Sequence, residues 1–161
     1  MKNITYYPIG KIISPYEKAE GTPIQPSADG AGEGKIIINE EYIEALLDLD
    51  GFSHLILLYH CHKAGKPSLT AKPFMENKEH GIFSIRAPRR PNSIGFSVVK
   101  LEKIEGNIIY IKDVDILNQT PLLDIKPYVP EFDSRENVKK GWLEKNIHKL
   151  SSIEDDGRFT K

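Results

Sequence analysis

The sequence has one cysteine, no long hydrophobic run and almost no net charge, and each of these shortages excludes a class of protein. Cys61 alone cannot form an intramolecular disulfide, which fits a protein of the reducing cytoplasm. The longest apolar run covers residues 55–59, far short of the roughly 20 residues that span a bilayer. Residues 1–3 lead into mixed polar sequence without the apolar core of a signal peptide. With 22 basic and 23 acidic residues, overall charge indicates no polyanionic partner. We expect a cytoplasmic protein that does not contact a membrane.

Several motifs that mark common catalytic and cofactor sites are also missing. No G-x-G-x-x-G leads from a strand into a helix and no P-loop occurs, so neither a dinucleotide nor an NTP is indicated. No nucleophile-elbow serine is present. His54, His60 and His62 alternate around Cys61, but no Cys pair or helical His pair completes a zinc site. We therefore predict no metal and interpret these histidines as core residues or as part of a cofactor wall.

Strand-like segments dominate the chain, whose 161 residues suit one domain. Runs rich in β-branched and aromatic residues predict strands over residues 4–13, 35–38, 54–62, 81–86, 93–104 and 107–117. Residues 105–107 (Glu-Gly-Asn) predict a hairpin turn between the last two strands. So many strands with so few helices predict a mainly β fold, a small closed antiparallel β-barrel with a few short helices.

The remaining segments are predicted to be loops and short helices around that barrel. Pro, Gly, Ser and Ala between residues 15 and 34 predict a long loop. Asn39 resembles an N-cap and predicts a helix up to Gly51, and apolar spacing predicts a second helix over residues 134–148. We place a barrel domain over residues 1–138 and a C-terminal helix and tail over residues 139–161. The charged tail from Ser151 onward is expected to fray.

The densest chemical signal is the segment IFSIRAPRRPNSIGFS, residues 82–97. All charged residues between Ile82 and Leu101 are basic, and Arg86, Arg89 and Arg90 fall within five positions. Pro88 and Pro91 stiffen the turn that carries them, which lowers the entropic cost of holding guanidinium groups in place. Gly95 allows a close approach by a ligand or a neighbouring strand. Two interpretations remain open: an ordinary solvated basic turn, or an anion or nucleic-acid site.

A second signal is the segment DVDILNQTPLLDIKPY, residues 113–128. Strand alternation predicts that Asp113 and Asp115 share one face. Asp124 and Lys126 share a face too if that stretch is extended. An Asp–Lys pair at this spacing is either a surface ion pair or, if buried near the arginines, a functional acid–base pair.

Taken together, these two segments resemble the TrmO/TsaA-like family. The resemblance lies in GIFSIRAPRRPNSIG (81–95) and TPLLDIKPY (120–128), and it is reinforced by PIG (8–10) with SPY (14–16) and by FSHL (52–55). It covers roughly residues 5 to 130. The resemblance implies a small β-barrel, a homodimer and S-adenosylmethionine (SAM) as cofactor. It also implies a tRNA methyltransferase that acts on N6 of threonylcarbamoyladenosine beside the anticodon.

The resemblance also implies which residues form the site. Its cofactor-binding positions are Gln25, Pro26, His62, Lys63, Arg86, Phe96, Asp115, Ile116 and Leu117. Its catalytic or substrate-binding positions are Arg90, Asn92, Asp124, Lys126 and Tyr128. By the resemblance, we expect two departures from the family: Asn118-Gln119 stands where the family has Asp-Gly, and the extra C-terminal domain of the longer bacterial members is expected to be missing.

Methyl transfer to a purine N6 needs a proton acceptor, because this nitrogen is a poor nucleophile until its proton leaves. We expect Asp124 to accept the proton and Lys126 to orient Asp124 or hold the substrate. The turn from Arg86 to Arg90, here called the arginine turn, is expected to hold the threonyl carboxylate or phosphates of the substrate. We therefore expect Arg90→Ala to abolish methylation with the fold intact. The alternatives are a methyltransferase acting on a small molecule or another RNA, and a SAM-binding module without catalysis.

Overall fold

Six antiparallel strands form a closed barrel in the computed structural model, which describes residues 3–25 and 31–160 without the side chains of residues 150–152. The barrel strands are β1 (Gly10–Ile13), β2 (Gly32–Ile38), β3 (His54–His60), β6 (Ile94–Glu105), β7 (Ile108–Val114) and β8 (Thr120–Pro127). Their order around the barrel is β1-β2-β7-β6-β3-β8. A separate two-stranded sheet joins β4 (Thr70–Ala71) to β5 (His80–Gly81). The predicted mainly β barrel is confirmed.

Alternating side chains fill the barrel because successive residues of a strand point to opposite faces. In β3, Leu55 and Leu57 are fully buried, whereas His54 and Leu58 face the outside. The core draws on all six strands and on Ile116, just beyond β7; its buried members are Ile12, Ile36, Ile38, Leu55, Leu57, Val99, Leu101, Ile109, Ile111, Val114, Ile116 and Leu122.

The strands β3, β6 and β7 match their predicted positions to within a few residues, and the predicted hairpin at residues 105–107 is confirmed. The first strand is shorter than predicted, since it begins only at Gly10, beyond Pro8. The strand predicted over residues 81–86 is wrong. There, β5 ends at Gly81 and a 3-10 turn covers Ile82–Ser84, because Arg90 holds the carbonyls of this segment in a tight loop.

Neither of the two predicted helices forms as a regular α-helix over its predicted range. The first consists of 3-10 turns over Glu40–Leu46 and Leu49–Gly51, and the Asn39 side chain donates to the Pro8 carbonyl instead of capping a helix. The second is wrong: α1 covers only Pro130–Asp133, and 3-10 turns follow at Gly141–Lys145 and Ile147–Ser152. Left-handed backbone at Asn137 and Gly141 interrupts the helical path.

The C-terminal segment is packed, which corrects the expectation that it frays. Glu154 pairs with Pro23 in a β-bridge, and the Gly65 N–H donates to the Phe159 carbonyl at 2.9 Å. Phe159 is 4% exposed and contacts Phe74 edge-on. The division at residue 138 remains a prediction. In the described part of the chain, no helix has the length and apolar character needed to cross a bilayer.

Candidate functional site

A cavity of about 550 Å³ opens at one end of the barrel. It lies where β3 ends, β6 and β8 begin, and the chain leaves β7. The loop before residue 26, the arginine turn and the C-terminal segment complete its wall. Its lining is Ala19, Thr22, Pro23, Ile24, Gln25, Tyr59, Cys61, His62, Lys63, Ala64, Phe74, Phe83, Ile85, Arg86, Ala87, Pro88, Arg90, Ile94, Gly95, Phe96, Asp115, Ile116, Leu117, Thr120, Asp155 and Thr160.

A hydrogen-bonded chain of Tyr59, Ser97 and Asp115 stands at the inner end of this cavity. The Ser97 hydroxyl donates to Asp115 Oδ1 at 2.7 Å and lies 3.0 Å from the Tyr59 hydroxyl. Gly95 faces Tyr59 across the β3–β6 pair, and any Cβ at this position would overlap the Tyr59 ring. The close approach predicted for Gly95 is therefore made by the neighbouring strand, and it allows the tyrosine to reach Ser97.

Burial governs the ionisation of this group. It raises the pKa of the Asp115 carboxyl to about 7, although the Ser97 hydrogen bond and the charge of Arg86 act in the opposite direction. Burial also holds the pKa of Tyr59 well above its usual range and raises that of the Cys61 thiol to about 11. Cys61 is therefore a neutral thiol at physiological pH, whereas the charge of Asp115 can change near that pH.

Arg86 provides an exposed cation in the lining of the cavity. Its Nη1 donates to Gln25 Oε1 at 3.1 Å, and its guanidinium lies 5.6 Å from the centre of the Phe96 ring. A guanidinium against an aromatic face keeps its remaining N–H groups available to a carboxylate or phosphate. The cavity thus presents cationic and carboxyl side chains together within one largely apolar lining.

Arg90 also lines the cavity, but its Nη1 is committed to the backbone. It donates to the carbonyls of Ile82 at 3.2 Å, Ile85 at 2.7 Å and Ala87 at 3.5 Å. The guanidinium lies 5.8 Å from the centre of the Phe83 ring. Arg90 therefore closes the loop that presents Arg86.

Comparison with known proteins assigns the chain to a family. Residues 11–134 match the family model described as tRNA-methyltransferase O N-terminal domain. The chain belongs to the tRNA-methyltransferase O (TrmO) family.

Similarity to individual proteins and to a solved structure supports this family assignment. A probable S-adenosyl-L-methionine-binding protein of Pyrococcus abyssi is 56% identical over 156 residues, which cover 97% of this chain and 85% of that protein. The human tRNA (adenine(37)-N6)-methyltransferase is 38% identical over 90% of this chain, which spans only 34% of the human protein. The crystal structure of TrmO from Pseudomonas aeruginosa superposes with a TM-score of 0.74 at 34% identity, covering 88% of this chain and 63% of that one.

The TrmO fold brings together most of the positions predicted to bind the cofactor. These residues line the cavity: Gln25, His62, Lys63, Arg86, Phe96, Asp115, Ile116 and Leu117. Pro26 lies outside the described residues. Asp113 and Asp115 do not share a strand face as predicted, because β7 ends at Val114 and Asp113 takes a left-handed conformation. That turn aims Asp115 alone at Ser97.

The positions predicted to be catalytic are placed differently. Arg90 lines the cavity, whereas Asn92, Asp124, Lys126 and Tyr128 do not. Asp124 and Lys126 form a solvent-exposed ion pair of 2.8 Å. Asp124 in β8 and Phe96 in β6 both pair with Leu58 of β3, so they share the outer face of the sheet at two strand spacings, about 10 Å.

The turn at Asn118-Gln119 lies where we expected the sequence to depart from the pattern of the family it resembles. Gln119 adopts φ +62°, a conformation that favours glycine. Asn118 anchors the turn: its Oδ1 accepts from the N–H groups of Ser14 and Gln119, and its Nδ2 donates to Glu17 at 2.6 Å. Next to it, the Thr120 hydroxyl donates to the Leu117 carbonyl and lies 3.3 Å from Nδ1 of His62.

Sequence reasoning missed the C-terminal contribution to the cavity. Asp155 and Thr160 line it, and the Gly157 N–H donates to Asp155 Oδ1 at 2.7 Å. Burial raises the pKa of the Asp155 carboxyl. No motif marks this segment; Phe159 was the available signal, since a lone large aromatic in a charged tail favours an anchored end.

Proposed function

We propose that this chain is a SAM-dependent methyltransferase that methylates N6 of threonylcarbamoyladenosine next to the anticodon of tRNA. The observation that carries the proposal is the cavity itself: in a domain of the TrmO family, Arg86 and the buried Asp115 carboxyl converge on one apolar enclosure. A cation and a carboxyl group on one wall suit a methyl donor that carries charges of both signs.

The lining of this cavity fits SAM. The carboxyl groups of Asp115 and Asp155 suit its cationic sulfonium and ammonium groups, and Arg86 and Lys63 suit its carboxylate. Ile116, Leu117 and Phe96 supply apolar surface for its adenine ring. When bound, SAM supplies an activated methyl group, so the protein mainly aligns donor and acceptor.

The chain's own residues have two tasks in this reaction. The other arginines of the turn, Arg89 and Arg90, hold the threonyl carboxylate or a phosphate of the substrate, because a planar guanidinium binds such groups with two parallel hydrogen bonds. Asp124, oriented by Lys126 at 2.8 Å, accepts the proton that N6 loses as its lone pair forms the bond to the methyl carbon. Bound SAM would supply the methyl group and would retain the electron pair of its broken carbon–sulfur bond.

A homodimer is part of this proposal, because Asp124 lies outside the cavity of its own chain. Ile94 and Phe96, 41% and 45% exposed, form an apolar strip on the outer face that also carries Asp124. A second subunit on this face would cover the strip and receive Asp124 and Lys126 beside its own cavity. Light scattering coupled to size-exclusion chromatography measures the mass, which we expect to be twice 18.2 kDa.

Two measurements separate this proposal from its alternatives. A strain lacking the protein is expected to lose methylated threonylcarbamoyladenosine from its tRNA nucleosides; an unchanged profile would indicate a small-molecule or different RNA substrate. Calorimetry with SAM, combined with a turnover assay on tRNA, tests the non-catalytic alternative. Binding of SAM without turnover on any nucleic acid would support a simple SAM-binding module.

A further inference from the structure

A second cavity of about 470 Å³ adjoins the first. Its volume lies within the range of about 300–1,000 Å³ that is typical of small-molecule sites. Both cavities are bounded by Ile24, Gln25, Phe74, Phe83, Ile85, Arg86 and Ala87. The far side of the second cavity is made by Pro73, Met75, Ser84, Trp142, Leu143, Ile147 and Phe159.

Trp142 forms a fixed aromatic wall of this second cavity. Its indole N–H donates to the Ser84 carbonyl at 2.9 Å, and the His80 ring stacks on it with centres 4.9 Å apart and planes 26° apart. His80 is held in turn by Glu76, with 2.8 Å between Nε2 and Oε2. The indole plane is therefore set before any ligand arrives, which lowers the entropic cost of binding a flat group.

Phe83 provides a second aromatic surface, at the boundary of the two cavities. Its side chain is 79% exposed although it follows the buried Ile82. The guanidinium of Arg90 lies 5.8 Å from its ring centre. An exposed aromatic ring among cations is how proteins hold an unstacked base and its neighbouring phosphates in single-stranded RNA.

Two polar side chains, Gln25 and Arg86, lie on the side of the second cavity that it shares with the first. They are joined at 3.1 Å, and Arg86 is the charged residue of the described lining. An amide beside a guanidinium can pair with the edge of a base, and the absence of acidic groups in this lining suits RNA. The cavity is thus aromatic on its walls and polar toward the first cavity.

We propose that the second cavity receives the target purine base, turned out of a single-stranded RNA loop, with Phe83 and Trp142 contacting its faces. The edge of the base then points past Gln25 and Arg86 into the first cavity. This inference rests on the proposed function, since it gives that reaction its acceptor site. An apolar peptide is the other occupant that such a cavity could take, and the test below distinguishes the two.

The chain contains a single tryptophan, so Trp142 fluorescence reports on this cavity alone. The experiment titrates an anticodon stem-loop RNA containing threonylcarbamoyladenosine into protein saturated with S-adenosylhomocysteine. We expect the fluorescence to be quenched as the RNA binds. The matched RNA, abasic at the target position, is expected to bind without quenching. Equal quenching by both RNAs, or tight binding with no quenching, would place the base elsewhere and leave the cavity to another ligand.

Three variants test the same proposal through binding. Phe83→Ala is expected to raise the Kd for the stem-loop by about tenfold, the effect of one lost base–aromatic stack. Phe83→Tyr should restore it, and Phe132→Ala, another exposed phenylalanine that lines neither cavity, should bind like wild type. A Kd for SAM that rises as much as that for RNA would assign Phe83 to the donor and contradict the proposal.

Failure of this inference can be told from failure of the proposed function. Wild-type protein that methylates the stem-loop, while Phe83→Ala does so with unchanged KM, would refute the acceptor site only. Wild-type protein that transfers no methyl group to the stem-loop would refute the proposed function itself.

Discussion

The charge of Asp115 depends on its position at the end of the barrel, because burial there raises the pKa of its carboxyl group to about 7. In the unfolded chain an aspartate ionises near pH 4, so between about pH 4 and pH 7 the folded protein binds more protons than the unfolded one. The contribution of Asp115 to stability is therefore greatest at low pH and is lost as the pH rises through 7. A cationic methyl donor bound beside Asp115 would favour the ionised form of its carboxyl group.

We predict that Asp115→Asn raises Tm by several degrees at pH 8, because the variant no longer buries a charge there. It should also weaken SAM binding by about tenfold and remove the rise in SAM affinity between pH 6 and pH 8. Calorimetry and thermal melts across that pH range measure both effects. Asp113→Asn, on the neighbouring left-handed residue, is the control; an Asp115→Asn variant that keeps the wild-type pH profile would contradict this role.

Gln119 holds a left-handed conformation in the turn before β8, where a side chain is strained. We predict that Gln119→Gly stabilises the fold by about 0.5–1 kcal/mol, since the relief of strain exceeds the added entropy of the unfolded chain. Chemical denaturation measures the change. Gln119→Ala keeps the strain and should not stabilise, so equal effects of the two substitutions would refute the explanation.

Arg90 closes the arginine turn through three backbone carbonyls. From the sequence alone, Arg90→Ala was expected to abolish methylation with the fold intact. The structure adds a cost, because the carbonyls lose a charged donor, and we predict a loss of about 1–3 kcal/mol in stability. Arg89→Ala, which removes a single carbonyl contact to Lys66, should cost less. Arg90→Ala with full stability and full turnover would refute both roles.

At the scale of elements, the sequence predicts the barrel better than the segments around it. Runs rich in apolar, β-branched and aromatic residues locate β3, β6 and β7, because these strands supply much of the barrel core. Residues 81–86 are apolar enough to resemble a strand, but side-chain hydrogen bonds from the nearby Arg90 to the Ile82 and Ile85 carbonyls bend this segment. Asp155 and Trp142 join the cavities through tertiary packing that no local pattern encodes.

The C-terminal segment is the element whose importance the sequence conceals. It supplies Asp155 and Thr160 to the first cavity and Phe159 to the second. We predict that deleting residues 153–161 leaves the β circular dichroism of the barrel in place but raises the Kd for SAM by about tenfold or more. Calorimetry measures the affinity, with deletion of Lys161 alone as control. Unchanged affinity would show that this wall does not contact the donor.

At the scale of the whole molecule, the position of Asp124 predicts a shared active site. If each cavity uses Asp124 of the other subunit, a mixture of Arg86→Ala and Asp124→Asn should recover activity, because each mixed dimer contains one intact site. After subunit exchange we expect about a quarter of wild-type turnover. A mixture as inactive as its parents would place both residues in one subunit's site.

The near-zero net charge of −1 means that local surfaces rather than the overall field must attract RNA. Arg86 lines both cavities and Arg90 lines the first, so the acceptor would meet positive charge where the reaction takes place. The most direct test of the central claim is methyl transfer from SAM deuterated at its methyl group. Purified protein is incubated with tRNA, and the nucleosides are analysed by mass spectrometry. We expect the label on N6 of threonylcarbamoyladenosine; labelled tRNA with that nucleoside unmodified, or no label at all, would contradict the account.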